Sequence, residues 1–169
     1  YQNVDIADAN SVQIHFYPDP TSTTPIIIDR PALPSLAGTS IFIGSLTQID
    51  PNCRGSAIMF ADRRLVATLV QVPNSTTVKN RPLSNGFESG APTILLATVL
   101  KNTFGSHSIF SVQNTDSELN TLTVDFYKLP ATLLVGETNP VHSITTDVES
   151  GASFYVDAGQ VAALGTSFN

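Results

Sequence analysis

Three histidines and one cysteine are the side chains in this sequence best suited to catalysis or metal binding. His15 lies in an alternating apolar segment and His107 and His142 lie in loop-like stretches, and none has another His or Cys at metal-ligand spacing. A catalytic thiolate needs a positioned base, but Arg54 is the only basic residue certain to lie near Cys53. We therefore interpret the histidines as structural and Cys53 as a small buried thiol, with an intermolecular disulfide as the remote alternative.

Motifs of the common enzyme classes are absent from the sequence. It has no Gly-x-Ser-x-Gly nucleophile elbow, no P-loop and no Gly-x-Gly-x-x-Gly fingerprint. The pair Ser106-His107 is too common a dipeptide to indicate a hydrolase. We expect a protein that is not an enzyme and that has no catalytic, cofactor-binding or metal-binding residues and no cofactor.

Closely spaced oxygen side chains occur in two loops. They are Asp5, Asp8 and Asn10 in the first, and Asp116, Glu118 and Asn120 in the second. Calcium prefers such clusters, but the twelve-residue EF-hand pattern is absent. Because Asp and Asn also close turns by bonding their own backbone, we favour that role over calcium binding.

The composition and the charge distribution exclude several function classes. The 169-residue chain is 41% hydrophobic and 13% charged, against about 25% charged in an ordinary domain. Its net charge of −6 argues against nucleic-acid binding, and it has no apolar run long enough to span a membrane. The first 110 residues carry seven acids and seven bases, whereas the rest carry seven acids and one base. This asymmetry reflects either chance solvation or two surfaces that attract each other head to tail.

The periodicity of the apolar residues predicts an all-β fold. Most apolar segments alternate with a period of two or form short β-branched runs, separated by Pro, Gly, Asn and Asp clusters, which is typical of a β-sandwich. The predicted strands cover residues 12–17, 40–44, 57–61, 65–71, 93–100, 108–113, 122–127 and 153–156. Only residues 158–164 could form a helical turn. Residues 73–92 have no clear period and contain a glycosylation sequon at Asn74.

Segments of the two halves resemble each other. The matched blocks are residues 2–3 with 113–114, residues 12–17 with 122–127, and residues 38–43 with 151–156, at offsets of 111, 110 and 113. A period of about 110 residues is the size of one immunoglobulin-like sandwich. We therefore predict two related β-sandwich units, residues 1–72 and residues 93–169, joined by a linker or long loop, residues 73–92.

The register of these blocks predicts that both units are partial. Two strands follow the first set of blocks but have no counterpart after the second, and two strands precede the second set but have none before the first. An incomplete sandwich exposes apolar core and unpaired backbone edges. Three outcomes remain open: the units complete each other in one chain, the chain belongs to a longer tandem array, or neighbouring copies add strands to one another.

The blocks at residues 111–115, 122–127 and 55–67 resemble tandem immunoglobulin-like β-sandwich repeats of bacterial secreted and cell-surface proteins. In those repeats a "QNTG…VTVxYY" pair is followed by "GSAVVxSDxPLxAVV". The resemblance covers most of both halves, but its motifs mark strands and turns rather than chemistry, and the second unit lacks the Gly-Ser-Ala block. It implies an extracellular, non-enzymatic scaffold or stalk. The Ser/Thr-rich, lysine-poor composition and a first residue that is Tyr also favour an exported protein.

We expect an extracellular structural subunit that assembles head to tail with copies of itself, by strand complementation, into a surface filament, sheath or layer. The alternative is an adhesin or carbohydrate-binding module on a cell-surface stalk, which would require an exposed patch at Tyr17, Tyr127 or Tyr155. The residues expected to carry assembly belong to the two terminal segments and to the apolar donor candidate, residues 93–100. They are Tyr1, Gln2, Asn3, Val4, Ile6, Thr93, Ile94, Leu95, Leu96, Val99, Leu100, Val161, Leu164 and Phe168.

Overall fold

The chain is all-β in a computed structural model that describes residues 1–72, 77, 82–128 and 139–169. The predicted fold class is confirmed at that level. The strands are β1 (Gln2–Asn3), β2 (Val12–Tyr17), β3 (Ile26–Arg30), β4 (Ser56–Ala61), β5 (Leu65–Val66), β6 (Thr68–Val70), β7 (Leu83–Asn85), β8 (Ile109–Gln113), β9 (Asn120–Phe126), β10 (His142–Val148) and β11 (Ser153–Asp157). Three single-turn 3₁₀ helices lie at Ile43–Ser45, Ala158–Gln160 and Ala162–Leu164.

The chain divides into two compact units. Unit 1 comprises Tyr1–Pro18, Pro25–Cys53 and Ala57–Gly90, and unit 2 comprises Asp19–Thr24, Arg54–Ser56 and Ala91–Asn169. Two short segments of the N-terminal half thus pack with unit 2. Strand β7 lies within the stretch that the sequence analysis describes as a linker, and Asn74 lies outside the described residues.

Unit 1 is built on the β2–β3 hairpin. β2 lies between β3 and β4, and its residues Ile14 and Phe16 face Ile28 and Ile26 across the hairpin. Alternation places Val12, Ile14 and Phe16 on one face, where all three are buried. Short pairs β1–β5 and β6–β7 complete the unit.

Unit 2 is built on the β9–β10 hairpin and the β8–β11 pair, both antiparallel. Its core contains Phe126, Val156, Ala158, Leu164 and Phe168, with Phe110 and Val99 packed against them. Burial of these apolar groups is the main favourable contribution to folding.

Two predicted strands are wrong for the isolated chain. Residues 40–42 form no strand, residues 43–44 belong to a 3₁₀ helix, and residues 93–100 form no strand. In both segments the side-chain pattern suits a strand, but no strand among the described residues supplies the backbone partners. The predicted helical turn at residues 158–164 is present as two 3₁₀ helices.

Candidate functional site

A buried asparagine organises the loop that enters each hairpin. The Asn3 side chain is fully buried, and its amide nitrogen donates to the carbonyl oxygens of Ala7 at 2.8 Å, Leu33 at 3.1 Å and Pro34 at 3.2 Å. Its oxygen accepts a 2.9 Å bond from the Asp5 backbone N–H. One side chain therefore satisfies backbone groups from two separate loops.

Asn114 makes the corresponding set of bonds in unit 2. Its amide nitrogen donates to the carbonyl oxygens of Glu118 at 2.7 Å and Val148 at 2.8 Å. Its oxygen accepts from the Asp116 backbone N–H and from the Asn120 side chain, both at 3.0 Å. We call Asn3 and Asn114, with these bonds, the asparagine clamps.

The bonds around the two clamps also correspond. The side chains of Gln2 and Gln113 donate to the carbonyls of Leu36 and Gly151 at 3.1 and 2.9 Å. Both acceptor residues have a left-handed backbone, with φ of 59° and 77°. Leu36 therefore corresponds to Gly151, at an offset of 115 residues, whereas the sequence blocks at residues 38–43 and 151–156 suggest an offset of 113. Sequence comparison missed it because a leucine stands in unit 1 where glycine is the usual residue.

The same offset of 115 continues into the following segment. The 3₁₀ helices Ile43–Ser45 and Ala158–Gln160 correspond, and so do the turns in which Ile49 N–H donates to Leu46 C=O and Leu164 N–H to Val161 C=O. Ile49 and Leu164 are both buried, at 7% and 5% exposure. The two segments thus have the same local arrangement.

One edge of unit 1 lacks the neighbour that its counterpart has. In unit 2, β11 pairs with β8 over five residues, from Ser153 with Gln113 to Asp157 with Ile109. The corresponding residues 38–42 of unit 1 begin such a ladder, because Gly38 bridges Gln2 and Thr39 exchanges two backbone bonds with Tyr1. Beyond them, within the described part of the chain, the backbone N–H groups of residues 40–43 reach no backbone acceptor. We call residues 40–43 the open edge.

Burial of the equivalent side chains follows this difference. Val156 and Ala158 of unit 2 are 2% and 0% exposed beneath β8. Their counterparts Ile41 and Ile43 are only partly buried, although both pack on the core of unit 1. An added strand would remove further apolar surface from water here.

A groove of about 440 Å³ adjoins the open edge. Its apolar lining comes from Ile43, Leu46, Ile49, Pro51 and Cys53, together with four polar or small residues. Burial, and then the charge of Asp50, raise the pKa of the Cys53 thiol. The thiol is thus partly buried, and its raised pKa favours the protonated form, which agrees with the interpretation of Cys53 as a small buried thiol.

The loop of unit 2 that corresponds to the groove walls is covered. Lys101 pairs with Phe168 through two 2.9 Å backbone bonds, its ammonium donates to the Val161 carbonyl at 2.7 Å, and Val99 packs on the core. Unit 2 therefore holds its own covering segment at the place where unit 1 has a groove.

A second bare edge lies in unit 2. β9 has one neighbour, β10, in the described residues, whereas β2, which corresponds to it, lies between β3 and β4. Each unit thus has a strand edge that its counterpart covers.

Residues 93–97 are apolar, exposed and without backbone partners. Ile94, Leu95 and Leu96 are 58%, 87% and 47% exposed, and no backbone hydrogen bond of residues 93–97 occurs within the described chain. Val99 and Leu100, which follow them, are partly buried. Such a contiguous exposed apolar stretch usually marks an interaction surface.

The other predicted assembly residues are placed differently. Leu164 and Phe168 are core residues at 5% and 4% exposure, and Val161 packs beside them. In the N-terminal segment Asn3 is a clamp, Tyr1 is partly buried against the core, and Gln2, Val4 and Ile6 are exposed.

The remaining candidate side chains have structural partners. His15 packs against Phe60 at 4.5 Å between ring centroids, His142 stacks on Phe126 at 6.1 Å, and His107 Nε2 is 3.7 Å from Asp157. No group of three or more His, Cys, Asp or Glu that could hold a metal is found among the residues whose positions are described.

The carboxylates of the two acidic loops bond to nearby backbone. Asp5 accepts from Ala7 N–H at 3.3 Å, Asp8 from Ser35 N–H at 2.9 Å, and Asp116 from Ser117 N–H at 2.7 Å. The bonds of Asp5 and Asp116 are the local ones of the turn-closing role, whereas Asp8 joins its loop to a second loop at Ser35.

The tyrosines that the binding-module alternative would use have different environments. Tyr17 is buried at 9% exposure, Tyr127 is 46% exposed, and the Tyr155 ring lies 5.2 Å beneath the Arg54 guanidinium. An aromatic ring that is buried or covered by a cation offers little surface for stacking on a sugar.

Comparison with protein-family models, curated protein sequences and solved structures finds no match for this chain. Within residues 1–72, 77, 82–128 and 139–169 there is no helix with the length and hydrophobicity needed to cross a bilayer.

Proposed function

We propose that this protein is an extracellular, non-enzymatic structural subunit that assembles with copies of itself into a filament, sheath or layer. Its two units are related immunoglobulin-like β-sandwich repeats. The observation that carries the proposal is the contiguous exposed apolar segment Ile94, Leu95 and Leu96, which has no backbone partner within the described part of the chain.

The energetics of an uncovered edge support assembly. Unpaired backbone groups on an exposed strand edge are a template for pairing with another chain. Each backbone hydrogen bond formed there contributes about 1 kcal/mol net. Each large aliphatic side chain that becomes fully buried contributes about 1.5–3 kcal/mol. A five-residue strand with two inward aliphatic side chains therefore offers several kcal/mol per contact.

The geometry of such a contact supports an extended assembly rather than a closed dimer. A strand that leaves one copy and enters a different surface of the next makes a heterologous contact, which generates a ring or an open filament. The excess of acids in residues 111–169 over the balanced charge of residues 1–110 favours the same head-to-tail order.

Electron microscopy and sedimentation velocity on one sample of the purified chain test the proposal. We expect regular fibres or sheets in the micrographs and a concentration-dependent series of oligomers in the sedimentation profile. A chain that remains an 18.0 kDa monomer at every concentration and ionic strength would refute it.

A further inference from the structure

We propose that Asn85 is a site of spontaneous covalent modification, in which the backbone nitrogen of Gly86 closes a ring on the Asn85 side chain, and that the pairing of β6 with β7 controls the rate. Asn85 is the last residue of β7 and is exposed. The dipeptide Asn85-Gly86 is the only Asn-Gly pair in the sequence. The reaction is independent of assembly and concerns the chemistry of unit 1 alone.

The modification needs only the chain and solvent water. The backbone nitrogen of Gly86 loses its proton and attacks Cγ of Asn85. A nitrogen–carbon bond forms, the bond between Cγ and the side-chain nitrogen breaks, and ammonia leaves, so that a five-membered succinimide remains. Water then adds to one of the two ring carbonyls. Opening at one carbonyl gives aspartate, and opening at the other gives isoaspartate.

The glycine makes ring closure at Asn85 easier than at the other asparagines. Because glycine has no Cβ, no side chain hinders the approach of its nitrogen to Cγ, and the backbone at this position rotates freely. Every other asparagine that has a following residue is followed by one that carries a side chain. We therefore expect Asn85 to react before any other asparagine of the chain.

The β6–β7 pair holds both reacting groups in place. The Gly86 N–H donates a 2.8 Å bond to the Ala67 carbonyl, and the Asn85 side-chain oxygen accepts a 3.2 Å bond from the Thr68 hydroxyl, which lies opposite it in the strand register. A nitrogen whose proton is bound to a carbonyl is a poor nucleophile. The extended backbone of a paired strand also cannot rotate to bring that nitrogen against Cγ. Ring closure therefore requires this end of β7 to separate from β6.

Separation of the two strands should cost little free energy. Only three residues of each strand pair, Thr68–Val70 with Leu83–Asn85, and all six are exposed. An element that buries little apolar surface opens locally, without unfolding of the rest of the domain. Asn85 lies at a strand end, where such opening begins. The rate of modification thus reports local opening of the pair rather than unfolding of unit 1.

The isoaspartate product does not fit the strand that carried the asparagine. Its main chain passes through the former side chain, which inserts one extra methylene group between residue 85 and Gly86. The Gly86 N–H then cannot reach the Ala67 carbonyl while Ser84 remains opposite Leu69. Either product also replaces a neutral amide by a carboxylate. Modification therefore adds one negative charge, and its isoaspartate form keeps the end of the pair open.

The first test compares the wild type with Gly86→Ala during storage in mildly alkaline buffer. A Cβ at Gly86 would lie 3.5 Å from the Ala67 side chain and carbonyl, which is an ordinary contact, and the φ of Gly86 is not positive. The variant should therefore fold, which circular dichroism checks. Peptide mapping by mass spectrometry and methylation by an isoaspartyl methyltransferase follow the products. We expect modification of Asn85 to be at least about tenfold slower in the variant.

The variant Ser84→Pro tests the control by the strand pair. Ser84 lies opposite Leu69 in the middle of the pair, and proline has no N–H and is not accommodated inside a paired strand. The Asn85-Gly86 dipeptide itself is unchanged. Because even one lost backbone bond favours opening, we expect Asn85 to react at least about fivefold faster than in the folded wild type. The rate should approach that of the wild type unfolded in urea.

The other outcomes overturn distinct parts of the proposal. If a different asparagine of the folded chain is modified first, or if Gly86→Ala reacts as fast as the wild type, Asn85 is not the site. If the folded and urea-unfolded wild type react at the same rate, or if Ser84→Pro reacts no faster than the folded wild type, the β6–β7 pair does not control the reaction. Monomeric and assembled samples both serve, so failure of the assembly proposal leaves this test unaffected.

Discussion

Replacing Asn114 by alanine should strongly destabilise unit 2. The side chain makes four hydrogen bonds, two donated to the carbonyls of Glu118 and Val148 and two accepted from Asp116 and Asn120. Each is worth about 1 kcal/mol net. Because Asn114 is 9% exposed, water cannot fully replace them, and we expect a loss of about 3–4 kcal/mol.

That loss is a large part of a typical domain stability of about 5–15 kcal/mol. Urea unfolding followed by tyrosine fluorescence measures it, since the chain has no tryptophan and Tyr127 and Tyr155 lie in unit 2. The midpoint should shift to lower urea with little change in slope. Far-UV circular dichroism should record the same shift, because β9 and β10 begin and end at the clamp.

Two further variants make the experiment specific. Asn3→Ala should destabilise unit 1 to a similar extent, because Asn3 also makes four bonds and is fully buried. Asn10→Ala is the matched control: Asn10 is exposed and donates one long bond of 3.3 Å, so we expect a change within about 0.5 kcal/mol. A loss below about 1 kcal/mol for Asn114→Ala would refute the view that the clamp holds the unit together.

Three smaller perturbations test other local features. Phe104 is 96% exposed and has a left-handed backbone, with φ of 53°, at a two-residue hairpin tip. Because asparagine tolerates this conformation better than phenylalanine, Phe104→Asn should raise the free energy of unfolding by about 1 kcal/mol in thermal unfolding. A decrease would show that the backbone of Phe104 is not strained. Hydrogen bonds, with the one from the Thr21 side chain contributing most, lower the pKa of Asp19. The contribution of Asp19 to stability is therefore present above its ordinary pKa and is lost as the pH falls through the lowered pKa. NMR titration of Thr21→Ala should show that the pKa of Asp19 rises, and an unchanged pKa would show that Thr21 does not lower it. Removing the exposed Arg64–Glu88 ion pair of 2.9 Å should cost no more than about 0.5 kcal/mol in urea unfolding, and a larger cost would show a coupled network.

The strongly alternating strands could be predicted from the sequence, and the Thr-rich ones could not. β2 was predicted with its exact bounds and β9 within two residues, because every second residue there is apolar. β3 and β10 were missed. β3 is a run of three isoleucines without alternation, and β10 has only Ile144 and Val148 as apolar residues.

The segment at residues 93–100 shows a different limit of prediction from sequence. Residues 93–100 have a stronger strand pattern than β10, yet they form no strand in the isolated chain. A side-chain pattern indicates which secondary structure a segment can adopt, whereas strand formation also requires a neighbouring strand with which the backbone forms hydrogen bonds. The blocks containing Asn3 and Asn114 were recognised as similar, but their hydrogen bonds depend on loops 30 and 34 residues away and only the folded chain reveals them.

The clamps also bear on how the protein ages chemically. Asparagine side chains hydrolyse slowly to aspartate, which replaces the amide nitrogen by an oxygen. At Asn114 this change would set a carboxylate against the carbonyl oxygens of Glu118 and Val148, where two donated bonds now hold the loops. Burial limits the access of water to both clamp residues, and neither is followed by glycine. The positions at which a one-atom change would be most damaging are thus shielded from that chemistry.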